Sequence, residues 1–214
     1  MMNKITISII LLASISIYAQ KPTLFIGGVA HIGNGNVIQN SVISIYNGKF
    51  QLVADATSVK INPNAFDTII EVFNKHLYPS FILPNTTLGI TEIDAVRASR
   101  DFKETGTNNP NVRSLIAYNT DSKLAKTVRS NGVLIAQVTP RGGVISGQSS
   151  IIHLDGENWE DAVLRTDDGI HINWPTRYYK HEWWKKTGTS KKNKEYQNKI
   201  LDLNKIFAKA NSYK

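Results

Sequence analysis

Thr139-Pro140-Arg141-Gly142-Gly143, with Ser146-Gly147-Gln148 just beyond it, is the stretch whose composition most invites chemistry. Glycine lets backbone N–H groups come close to an anion, and an arginine fork can clamp a carboxylate or phosphate. No Gly-Lys-Ser or Gly-Lys-Thr follows, so this is not a Walker loop, and the glycine spacing fails the dinucleotide fingerprint. Substrate contact and plain turn geometry both remain open for it. A second cluster, Asp167, Asp168 and His171, lies in RTDDGIHINWP. Two carboxylates and an imidazole could bind a metal or move a proton. The competing expectation is a helix stopped by Gly169, then a strand in which His171 is simply packed. His31, His76, His153 and His181 are scattered without metal-ligand spacing. The chain has no cysteine, which excludes disulfides, thiolate metal sites and cysteine nucleophiles, and it has no Gly-x-Ser-x-Gly elbow.

These residues need elements to position them. From Thr23 to about Tyr78 the signals are β. TLFIGGVAHIG is an apolar run broken by glycines, SVISIY and KFQLVA are strands, and TIIEVF is another candidate. Asn34-Gly35 and Asn47-Gly48 are pairs that accept the positive φ angles of tight hairpins. The expectation is a small antiparallel sheet, as in half a sandwich. After Pro79 the texture changes. YPSFILPNTTLGI reads as a buried strand with a polar end, TEIDAVRASRDF as a helix, and VRSLIAYN as either a strand or a helix. DSKLAKTVRSNG reads as a helix closed by Gly132. VLIAQVTPRGG is a strand running into the glycine loop, SSIIHLDG a strand, and WEDAVLRTDDG a short helix. Strands alternating with helices point to βα units.

The 214 residues include 25 Lys and Arg against 17 Asp and Glu, a net charge of +8. That excess is local. Residues 21–176 hold 13 basic and 14 acidic side chains, while residues 177–214 hold 11 basic and 3 acidic ones. In this tail Tyr196, Ile200, Leu203 and Phe207 form the apolar stripe of an amphipathic helix with a Lys-rich opposite face. Such a face could bind anionic lipid or an acidic polymer, or simply be the solvated side of a docked helix. At the other end, Lys4 precedes an apolar run from Ile5 to Ala19, short for a membrane span and suited to a signal-peptide core. Cleavage near Ala19 and export to the periplasm or medium are expected, and no nucleic-acid partner is expected. The expected division is residues 1–19 as signal peptide, 20–78 as β module, 79–176 as α/β portion and 177–214 as basic helical segment.

TLFIGGVAHIGNGNVIQNSVISIYNGKFQLVA, LYPSFILPNTT and NGVLIAQVTPRGGVISGQSS, in that order and spacing, resemble the imidazolonepropionase-like branch of the amidohydrolase superfamily. The resemblance implies an α/β fold. An N-terminal antiparallel β module would begin a composite β-sandwich, followed by the first βα units of an incomplete (β/α)8 amidohydrolase-type barrel. It implies metal-dependent hydrolysis of C–N amide bonds in intact relatives, on a small cyclic-amide or peptide-like substrate, with zinc or another divalent cation. The departures matter as much. The family follows a Pro-Gly-Phe-Ile-Asp run with His-x-His, whose histidines bind the metal. Aligned on Pro79, Phe81 and Ile82, this chain has Leu83 in place of the aspartate, and Asn85 and Thr87 occupy the two histidine positions. An amide or hydroxyl is a poor zinc ligand, so no cofactor is expected here. Asn85 and Thr87 become candidates for hydrogen-bonding a substrate at the active-site end of the first barrel strand, or for capping the next loop; Asn85-Thr86-Thr87 also matches a glycosylation sequon. Arg141, Gly142, Gly143 and Gln148 join them as substrate-facing candidates. A barrel of this type needs about 250 residues, and about 135 follow the β module. The expectation is therefore a truncated or degenerate chain, inactive alone. It would stand as a non-catalytic binding module, or work with a separately encoded C-terminal half or as a homo-oligomer.

Overall fold

The computed structural model describes residues 21–179 and 191–213. The signal-peptide reading, His181, Trp183 and Trp184 lie outside the described residues. The chain divides into two compact units, Met1–Pro79 and Ser80–Lys214.

The first unit is a five-stranded sheet: β1 Thr23–His31, β2 Val37–Tyr46, β3 Lys49–Asp55, β4 Thr68–Glu71 and β5 His76–Leu77. β1, β2 and β3 form antiparallel hairpins, as their alternation requires. The turn between β2 and β3 is Asn47-Gly48, both at positive φ (49° and 67°), the pairing that matches strand twist. The first hairpin is looser than expected: Gly33 and Gly35 take the positive φ angles, and Asn34 does not. The sheet is mixed rather than antiparallel, because β4 and β5 both run parallel to β1. Leu24, Ala30, Val42 and Val72 are its buried apolar residues.

The second unit carries a four-stranded sheet in the order β6 Phe81–Thr86, β7 Val133–Val138, β8 Ile145–His153, β9 Val163–Ile172. β6 and β7 are parallel, joined by a crossover containing helix α1 Lys123–Ser130. Ser122 caps α1 by accepting the N–H of Ala125, and Gly132 ends the turn beyond it at φ 89°. The succession of βα units stops there: β8 and β9 are both antiparallel to their predecessors. The strand expected to begin at Ser149 begins at Ile145, so Ser146, Gly147 and Gln148 are strand residues rather than loop. After Gly156 a single helical turn, α2 Trp159–Ala162, is capped by Asn158. The chain then extends at once into β9 at Val163, which overturns the helix read through Asp168. The β-branched and Gly-containing run VLRTDDGI pairs with β8, and pairing outweighs weak helical periodicity.

TEIDAVRASRDF is not a helix either. It holds one 3-10 turn, Arg97–Ser99, and Ser99 explains why. Its hydroxyl accepts the Ile93 N–H and lies within bonding distance of the Ile93 and Val96 carbonyls, closing the segment locally. VRSLIAYN is likewise a 3-10 turn, Ser114–Ala117. The core of the unit is built by Leu88, Ile90, Leu115, Tyr118, Ala125, Ala136, Val138, Ile152, Leu154 and Ala162. The start of β6 lies outside it: Phe81 is 69% and Ile82 64% exposed, so this strand is not buried as its apolarity suggested. Helix α3 Tyr196–Asn211 carries the expected apolar stripe, of which Leu203 is buried and Phe207 exposed. Among the described residues no helix is long and apolar enough to cross a membrane.

Candidate functional site

β6 and β7 are parallel, so their C-terminal ends lie side by side. Asn85 is the penultimate residue of β6, and Gln137 is the penultimate residue of β7. Asn85 takes a left-handed backbone (φ 52°), which asparagine tolerates better than branched residues. That bend aims both its carbonyl groups at Arg141. The guanidinium donates to Asn85 Oδ1 at 2.7 Å and to the Asn85 carbonyl at 2.6 Å. The Asn85 N–H donates to Gln137 Oε1 at 3.2 Å. Gln137 Nε2 in turn donates to Asp168 Oδ2 at 2.8 Å and lies 3.4 Å from Ser149 Oγ. Arg165 Nε sits 3.3 Å from the other oxygen of Asp168, whose side chain is only 17% exposed. One polar row thus crosses all four strands, from Arg141 and Asn85 through Gln137 and Ser149 to Asp168.

His171, on β9, belongs to this region. Partial burial pushes its pKa down, the Arg141 charge pushes it down further, and Asp168 opposes both. Burial and the Arg141 charge together favour the neutral imidazole over the protonated one. Asp167, next to Asp168, leaves the row. At φ 48° it turns away and forms a two-bond fork with Arg113, at 2.7 and 2.6 Å. The Arg113 pKa is raised, chiefly by that hydrogen bond and then by the charge of Asp167. The two carboxylates of the Asp-Asp pair therefore serve different arginines, and they do not converge on one point.

The glycine loop is stitched rather than open. Asn173 Nδ2 donates to the carbonyls of Gly142 and Gly143, at 3.1 and 3.0 Å, and Ser146 Oγ donates to Gly142 at 2.7 Å. Gly143 is a steric requirement. Its φ is 60°, and a Cβ there would lie 2.7 Å from the Thr107 carbonyl oxygen. Gln148, from β8, donates to the Pro110 carbonyl at 2.8 Å and so pins a neighbouring loop instead of joining the row. Thr87 follows β6; its carbonyl accepts the Ile90 N–H, and its hydroxyl bonds no other described residue. Of the six residues singled out in the sequence, Asn85 and Arg141 are brought together, Gly142 and Gly143 support Arg141, and Gln148 and Thr87 stand apart. Gln137, Asp168 and Asn173 complete the arrangement. Gln137 could have been picked out as the one amide in the apolar run VLIAQV.

A divalent metal does not fit this donor set. The position aligned with the first histidine of His-x-His presents a neutral amide oxygen already bonded to a guanidinium, and that fixed positive charge repels a cation. Among the described residues no group of three or more His, Asp or Glu side chains is arranged to hold a metal.

No protein-family model and no curated protein matches the chain. In fold it is similar to the crystal structure of an amidohydrolase from Thermotoga maritima MSB8, with a TM-score of 0.64 and 20% sequence identity. The similarity covers 72% of this chain and 39% of that one, so the chain spans about two fifths of the length of the amidohydrolase it matches. The mixed α/β fold of this chain, with its two sheets, is consistent with part of an amidohydrolase-like fold.

Proposed function

We propose that this is an amidohydrolase-like protein of the imidazolonepropionase-like branch, exported, whose second unit corresponds to the start of the barrel. Its strand-end site binds an amide or peptide-like ligand by hydrogen bonds instead of hydrolysing it through a metal. The observation that carries this reading is the double bond from Arg141 to Asn85. It puts a guanidinium beside the strand end where intact relatives, by the resemblance, place a metal. Gln137, Asp168 and His171 offer both donors and acceptors next to it, which suits an amide group better than a bare cation. The test is an assay of the purified chain on a panel of cyclic amides and dipeptides, with and without added zinc. No turnover above background is expected in either condition. Zinc-dependent hydrolysis abolished by Asn85→Ala would refute the reading.

A second reading is favoured by the sheet edges. Among the described residues β6 pairs only with β7 and β9 only with β8, and Phe81 and Ile82 are exposed on the β6 edge strand. Free edges with apolar side chains recruit further chain. On this reading the protein works with a separately encoded half, or with a second copy, that covers these strands. Light scattering on the purified chain checks it. A monodisperse monomer that keeps its far-UV spectrum would count against any such requirement.

A further inference from the structure

Residues Arg97 to Gly106 form a strap across the glycine loop. The Arg141 N–H donates to the Phe102 carbonyl at 2.6 Å, Lys103 bridges to Arg141, and a Cβ at Gly142 would strike the Lys103 side chain at 2.6 Å. Between strap and loop lies an open concavity of about 690 Å³ lined by Arg97, Arg100, Phe102, Lys103, Glu104 and Gly143. Three cations and one carboxylate face it. The carboxylate is engaged, since Glu104 Oε1 accepts the Thr105 N–H at 2.7 Å. Among the described residues no carboxylate lies within ion-pair distance of Arg97, Arg100 or Lys103. Three other arginines of the unit do pair with carboxylates: Arg113 with Asp167, Arg129 with Asp155, and Arg165 with Asp168.

We propose that this concavity is a binding site for a small polyvalent oxyanion. It is distinct from the strand-end row and independent of the function proposed for that row. Two guanidinium forks and an ammonium around one hollow match the several oxygens of a phosphate or di-carboxylate, and excess positive charge favours multivalent over monovalent anions. Phe102 supplies an apolar wall, so the ligand can carry a hydrocarbon part. The chemistry shared by a phosphoryl group and a dicarboxylate is a planar or tetrahedral set of anionic oxygens.

Calorimetric titration of the full chain tests this, with inorganic phosphate in one arm and malonate in the other, against sodium chloride at matched ionic strength. Saturable binding at one equivalent is expected in at least one of the two anion arms, and the tighter arm identifies the source. Arg97→Ala with Arg100→Ala should weaken it at least tenfold, while Lys60→Ala in the first unit leaves it unchanged. If the double variant fails to fold, Lys103→Gln alone should still weaken binding by at least threefold. Heat indistinguishable from chloride in both arms, or binding untouched by every one of these strap substitutions, would overturn the proposal.

Discussion

At the scale of single residues, Arg141 organises the strand end. It holds Asn85 by two short bonds and, after burial, is the second cause of the lowered pKa of His171. Arg141→Ala leaves the bent Asn85 without its partner and should cost about 1–2 kcal/mol, read by urea denaturation, the lower part of the charged hydrogen-bond range because Asn85 is exposed. His171 sets a pH dependence whose sign is fixed. Its folded pKa lies below 6.5, so the unfolded chain binds the proton more readily. The His171 contribution to stability is complete above about pH 6.5 and is lost as pH falls from there through the folded value. His171→Gln should flatten that part of the stability profile; an unchanged profile would mean another group governs it. The site was half legible in the sequence. Arg141 beside two glycines, and Asn85 at a ligand position, are visible as residue types. Gln137 and Asp168 join them only because strand register aligns four positions scattered over more than eighty residues, and register is a property of pairing, not of composition.

At the scale of elements, local signals succeeded where a side chain caps or a turn demands an angle, and failed where pairing decides. Ser122 and Gly132 mark the two ends of α1, and Asn47-Gly48 marks the β2–β3 hairpin. Ser122→Ala should cost about 1 kcal/mol through loss of the cap. The helix read into TEIDAVRASRDF gave way to the Ser99 turn. The one read into WEDAVLRTDDG gave way to β9, because β8 offers an edge to pair with. Gly89 shows a constraint that no pattern displays. It sits at φ 75°, and a Cβ would lie 2.2 Å from the ring of Tyr118, a core residue. Gly89→Ala should therefore destabilise by about 2–4 kcal/mol, the sum of backbone strain and overpacking, measurable as a fall in the denaturation midpoint with little change in slope.

At the scale of the molecule, the two units have separate sheets, and the second holds one parallel β6–α1–β7 crossover. Charge is distributed by the same logic. The body of the chain is almost neutral, the excess sits in residues 177–214, and Arg97, Arg100 and Lys103 line one hollow of the second unit. We propose that the strand end of β6 and β7 is a hydrogen-bonding site that excludes a metal. Zinc competition between the purified chain and a chromophoric chelator, at neutral pH, tests it most directly. No equivalent of zinc should be taken from the chelator, by the natural chain or by Arg141→Ala. One tightly held equivalent, lost on Asn85→Ala and Asp168→Ala, would contradict it.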